Sequence, residues 1–155
     1  MTERETGHWL RVLDQATAAL SAHAPATKPW FQPDRGGGCA DVLLHALDLG
    51  ADVTVRACYD RVVTGGRLWA KAAAGTFLGR YYLRVHRPGE RIRWVCVAVR
   101  ARQVELHLRR GPLGQGPLQR VPMHVVEARQ RGGGPHGLCW RLLTTMSVES
   151  LQDAM

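Results

Sequence analysis

The sequence predicts a mixed fold: an α/β segment followed by an antiparallel β-sheet, α+β overall. Three observations lead there. Within the first 60 residues, apolar positions recur twice at helical spacing, and each helical stretch is followed by a short β-branched or aromatic run. From 76 to 145 the pattern becomes short alternating segments, cut by Pro and Gly at 88–89, 111–117 and 132–137. Finally, 45% hydrophobic residues in 155 positions suffice to bury the core of one domain.

Each element has its own signal. Trp9, Val12, Leu13, Ala16 and Leu20 place a helix over 7–22, and Pro25 lies just beyond its end. The segment KPWFQ (28–32) is a brief strand candidate. Ala40, Leu43, Leu44 and Leu47 form a second helical stripe, ended by Gly50. DVTVRACY (52–59) alternates and is β-branched, so it reads as a strand. LWAKAAA (68–74) predicts one short helix. Five strands follow: GRYYLRVHR (79–87), RIRWVCVAV (91–99), QVELHLR (103–109), VPMHVVEAR (121–129) and LCWRLLTT (138–145). In SVESLQDAM (147–155), Ser147 is a candidate N-cap, with Ser150 where a capping box would hold Glu or Gln. The chain thus divides into an α/β part (1–75), a β part (76–145) and the start of a helix (146–155). Trp9, Trp30, Trp69 and Trp94 read as core residues, and the seven histidines show no ligand pattern.

Composition narrows the function classes. No run of about 18 apolar residues is present, so no membrane span is expected. The N-terminus is charged and amphipathic and lacks a signal-peptide apolar stretch, which predicts a cytoplasmic protein. Cys39, Cys58, Cys96 and Cys139 form no C-x-x-C pair, so they read as reduced thiols rather than zinc ligands. The net charge of +8 is concentrated: residues 51–131 hold sixteen Lys/Arg against five Asp/Glu, and the flanking segments are slightly acidic. Nearly all of the excess is arginine, whose planar fork matches phosphate oxygens. DNA or RNA is the partner this block predicts; a solvated surface is the alternative.

The segment PWFQPDRGGGCADVLLHAL (29–47) carries the chemistry. A Gly-rich turn between strand and helix can cradle phosphate on its backbone N–H groups. A strand-end carboxylate such as Asp34 can instead hold a hard divalent cation. The nucleotide-binding version of the first reading also needs Lys-Ser/Thr at the helix start, and this sequence has none there.

Four segments, in order, resemble the insertion-sequence-four type of bacterial cut-and-paste transposase, whose catalytic domain is RNase H-like with a DD-E triad. RETGHW (4–9) is similar to its K-E-S-x-[RK]-W, and FQPDRGGGCADVLL (31–44) to its D-R-E-[GA]-D segment. VTVRACYDR (53–61) resembles V-V-R-[AS]-x-H-[DP]-R, and LCWRLLTTMSVESLQDA (138–154) resembles L-x-W-L-L-L-T-x-x-P-V-E-S-L-x-x-A. The resemblance implies that 1–75 is a partial RNase H-like core and 76–145 a β-sheet insertion. It makes Asp34 the second catalytic Asp and a ligand of Mg2+ or Mn2+. It places Arg56 and Arg61 near transposon-end DNA, and Trp140 where the family stacks a Trp on a flipped base. Gly36 and Gly38 stand where that pattern has Glu and Asp, and Tyr59 where it has His. The family's first Asp is expected before residue 1 and its Glu, in Y-x-x-R-W-x-I-E-E, after Met155. The chain therefore reads as an internal piece of a transposase, catalytically incompetent alone, holding no metal tightly and not oligomerising without the family's C-terminal region. The alternative is a non-enzymatic, basic nucleic-acid-binding module.

Overall fold

A computed structural model describes residues 3–86, 88–89, 91–111 and 113–155, leaving aside the side chains of Glu3, Arg4 and Arg35. Among the described residues, three helices, α1 (Glu3–His23), α2 (Ala40–Asp48) and α3 (Leu68–Ala73), accompany eight strands. The strands are β1 (Trp30–Phe31), β2 (Asp52–Arg56), β3 (Val62–Val63), β4 (Gly66–Arg67), β5 (Thr76–Val85), β6 (Arg93–Leu108), β7 (Gln119–Gln130) and β8 (Cys139–Thr144). Short 3-10 turns occupy Arg35–Gly38 and Gly134–His136.

All eight strands join one sheet in the order β1-β2-β8-β7-β6-β3-β4, with β5 beside the first half of β6. Among the described strands, only β1 and β2 are parallel. A parallel pair needs a crossover, and α2 supplies it. The helices cover one face over β2, β8, β7 and the second half of β6. There Leu13, Val42, Leu43, Leu44, Leu68 and Ala72 pack on Val53, Val55, Leu143, Val125, Met123 and Leu106. On the opposite face, a second cluster gathers Val99, Ala101 and Val126 under Val148, with Leu151 and Ala154 beside them.

The sequence predicts two strands across 91–109, and the structure has one. Val95, Val97, Val99 and Ala101 are buried in the first half, Val104, Leu106 and Leu108 in the second, and Arg102 and Gln103 are both exposed. Pairing with β7 nevertheless runs unbroken from Val97↔Gln130 to Leu108↔Gln119. Side chains alternate with period two, so moving from odd to even buried positions moves burial to the other face. The phase break that resembles a turn is the place where one strand passes from one core to the other.

Two other expectations are corrected, and one hairpin was not anticipated. The C-terminal stretch forms a turn at 151–154 rather than an α-helix. Its capping residues are Ser150 and Asp153: the Asp153 N–H donates to Ser150 Oγ at 3.2 Å, and the Ser150 N–H donates to Asp153 Oδ2 at 2.8 Å. Ser147 instead donates its hydroxyl to Glu149 at 3.1 Å. The hairpin β3–β4, closed by Thr64 and Gly65 with φ +73° at the glycine, carried too few residues to show periodicity. Trp9 does pack against the core, but Trp30, Trp69 and Trp94 are 52%, 39% and 67% exposed. Trp30 lies on the edge strand β1, where its Nε1 donates to Thr54 Oγ1 at 3.0 Å. Trp94 opens β6 on the helix-bearing face, over the half of the sheet that the helices leave uncovered. Among the described residues, no helix is long and apolar enough to cross a membrane.

Candidate nucleic-acid interface

The carboxyl ends of β1 and β2 and the amino end of β8 share one end of the sheet, because β1 and β2 are parallel and β8 is antiparallel to β2. Asp34, Arg56, Arg61 and Trp140 all belong to this end. Asp34 is exposed, and its carbonyl accepts the Gly37 N–H at 3.1 Å. Gly37 serves packing. A Cβ on Gly37 would lie 2.2 Å from Pro33 Cβ, a separation no side chain tolerates. The Gly38 carbonyl accepts a hydrogen bond from Arg61 Nη2. Arg61 is thus turned inward as a clasp on the 3-10 turn, and burial pushes its pKa below the usual arginine value.

Arg56 closes β2, pairs with Leu142 and is exposed. Trp140 stands two residues before Leu142 and pairs with Ala128. Cross-strand partners share a face, so Arg56 and the half-buried Trp140 lie on the same face, opposite the helices.

The carboxylates nearby fasten the fold. Asp41 accepts the Gly111 N–H at 3.0 Å, and Asp48 is ion-paired with Arg110. Asp52 accepts from Lys28 Nζ and from the Thr145 hydroxyl, both at 2.9 Å, and the lysine is the main reason its pKa is lowered. Asp60 accepts the Trp69 N–H at 2.8 Å. Among the described residues, no three His, Cys, Asp or Glu side chains gather to hold a metal ion.

On the helix-bearing side and around the end of β2, an open cleft of about 1170 Å³ runs between α1, α2 and the turn after β6. Arg56, Arg61, Arg109, Arg110 and Arg141 line it, with Cys39, Cys58 and Cys139, all of them free thiols. Arg141 is held from two sides. Its Nε donates to Glu127 Oε2 at 2.7 Å, and its guanidinium lies 4.7 Å from the centre of the Trp69 ring. Glu127, only 2% exposed, also accepts from Arg129 Nε at 2.9 Å and Nη2 at 3.1 Å. Burial alone would raise the Glu127 pKa, but the two guanidiniums outweigh it and hold the carboxyl below the usual range.

Pairing extends this network across four strands, in the row Phe77↔Arg100↔Glu127↔Arg141. Arg100 lies 5.8 Å from the centre of the Phe77 ring and donates to the Gly75 carbonyl at 3.0 Å. Sequence reasoning passed over Glu127, Arg129, Arg141 and Trp69. A carboxylate and a guanidinium two apart on a strand share a face, so Glu127–Arg129 was readable; Arg141 and Trp69 required the register. Neither comparison with protein-family models nor comparison with curated proteins finds a match.

Proposed function

We propose that this chain contacts DNA and carries out no phosphoryl transfer, as a relative of the RNase H-like DD-E transposases. One observation carries the reading: at this end of the sheet Asp41 and Asp60 are taken up by backbone N–H groups, while Arg56 stays exposed. Asp48 is ion-paired with Arg110. Arg56 remains exposed on the face that also carries Trp140. The parallel β1–α2–β2 unit, with Asp34 just beyond β1, supports the relationship to an RNase H-like core.

Two-metal phosphoryl transfer requires carboxylates that bridge and flank two ions about 4 Å apart. Asp34 would be one such ligand for Mg2+ or Mn2+. Gly36 and Gly38 offer none, and Asp41 and Asp48 are committed elsewhere. The donor set does not fit a two-metal centre, so no catalytic step is assigned.

Fluorescence anisotropy with labelled duplex DNA across a salt series tests the binding. Released counterions make affinity fall steeply with salt, without preference among sequences. Salt-independent affinity, or strong preference for one duplex, would overturn the proposal. Incubation of the duplex with Mg2+ or Mn2+ should give no nicking; nicking that follows the protein through purification and vanishes in Asp34→Ala would restore catalysis. A second reading, a basic nucleic-acid-binding module without transposase ancestry, is favoured by the same exposed arginines. The flanking genomic sequence separates the two: neighbouring frames with the family's first Asp and its Y-x-x-R-W-x-I-E-E motif would decide for ancestry.

A further inference from the structure

We propose that the uncovered half of the sheet, bearing Phe77, Arg80, Tyr82, Arg84, Trp94 and Arg100, is a platform for single-stranded DNA. This rests on the reading of the chain as a DNA-contacting protein and assigns the form of DNA and the surface that holds it. The surface lies on the opposite face of the sheet from Arg56 and Trp140.

The register builds it. Along β5, Arg80, Tyr82 and Arg84 share one face by alternation, and they pair with Ala98, Cys96 and Trp94 of β6. A bulge between Phe77 and Gly79 brings Phe77 opposite Arg100, onto the same face. The helices pack on this side only over the other half of the sheet. Trp94 is therefore 67% exposed, Tyr82 65% and Phe77 52%. Three large aromatic side chains open to water on one sheet surface form an unusual patch for a folded chain. Trp94 and Tyr82 are diagonal neighbours on adjacent strands, a separation of about 7–8 Å.

Charge selects the occupant. Among the described residues, Arg80 and Arg84 make no ion pair. The only carboxylate these paired strands present on this face is Glu127, buried and neutralised by Arg129 and Arg141. A protein partner would have to bring an acidic surface to every second position. A nucleic acid strand brings a phosphate with each nucleotide and a flat π-face to stack on the rings. Duplex DNA offers the phosphates but keeps its base faces stacked inside, so only an unpaired strand satisfies both halves of the surface.

The test measures anisotropy with labelled oligo(dT) and with a duplex of equal length, alongside Trp94 fluorescence. Trp94→Ala and Tyr82→Ala should each weaken oligo(dT) binding about 5- to 150-fold, the range for losing one stacked base. Duplex affinity should stay within twofold. Trp94→Phe should retain most oligo(dT) affinity, and circular dichroism should show native melting for all three variants because the side chains are exposed. Arg84→Gln should weaken both ligands and lower the salt slope by about one. Equal binding of oligo(dT) and duplex, unaffected by either aromatic variant, would remove the platform while leaving electrostatic DNA contact standing. No binding to either ligand would remove both readings. Tenfold tighter binding of oligo(U) would make the surface an RNA site and overturn the assignment to DNA. A dimer in light scattering that Trp94→Ala converts to monomer would make it a self-association surface instead.

Discussion

Glu127 is buried yet ionised, because Arg129 and Arg141 donate three hydrogen bonds to its two oxygens. Its folded pKa lies below its unfolded one, so the stabilisation is complete above the unfolded value, about 4.3. It is lost as pH falls through the folded value. Glu127→Gln should cost about 3 kcal/mol at pH 7, the low end for breaking a buried pair since Arg129 is half exposed. Urea unfolding from pH 7 to 2.5 should also show a flatter acid limb in the variant; an identical limb would mean that Glu127 is not the titrating group. Arg61 makes a second residue-level prediction. Its inward hydrogen bond to the Gly38 carbonyl is charge-assisted, so Arg61→Ala should destabilise by about 1.5–3 kcal/mol. If DNA affinity fell while stability held, Arg61 would be a contact and not a clasp. Trp140→Ala separates two roles in the same way. A base platform loses affinity for DNA with an unpaired base at unchanged melting temperature, whereas a packing residue loses about 3–5 kcal/mol.

At the scale of elements, strong periodicity was legible and its interruptions were not. The stripes of α1 and α2 show their buried faces in the sequence, because Leu13, Leu43 and Leu44 point at a single core throughout. β6 does not, since it buries Val97 on one side and Leu106 on the other. Local alternation carries no information about which face a distant segment will cover. The same holds for the candidate residues: Asp34, Arg56 and Trp140 were picked out by pattern, while the adjacency of Tyr82 and Trp94 needed the register that sets β5 against β6. The C-terminal turn illustrates how such coverage is fitted. Gly79 has φ +153°, and a Cβ there would come within 2.9 Å of Leu151 Cδ2. Gly79→Ala should therefore cost about 1–3 kcal/mol. Leu151→Ala should be destabilising by itself, yet the double variant should lose less than the sum, because the shortened leucine removes the clash. Strict additivity in a denaturation cycle would show that the turn does not press on β5.

Across the whole molecule, a net charge of +8 carried mainly by arginine predicts binding governed by ionic strength. Raising salt from 50 to 200 mM should lower DNA affinity by a factor that grows with every phosphate neutralised, and the log–log slope counts those contacts. The continuity of β6 has a further consequence, in time. Both cores lean on one strand, so neither can melt without withdrawing support from the other, and calorimetric and van't Hoff enthalpies should agree. The order of synthesis makes this more demanding. β2 is flanked by β1 and by β8, the last strand of the sheet, and the Thr54 hydroxyl reaches Thr144 at 2.7 Å across 90 residues. Chains generally fold from the N-terminus as they emerge, but here Val53 and Val55 must wait for Leu143 to arrive. For that interval, α1 and α2 shelter a half-built core with an open strand edge, and the rate at which the final strand is delivered sets how long the nascent chain is exposed to aggregation.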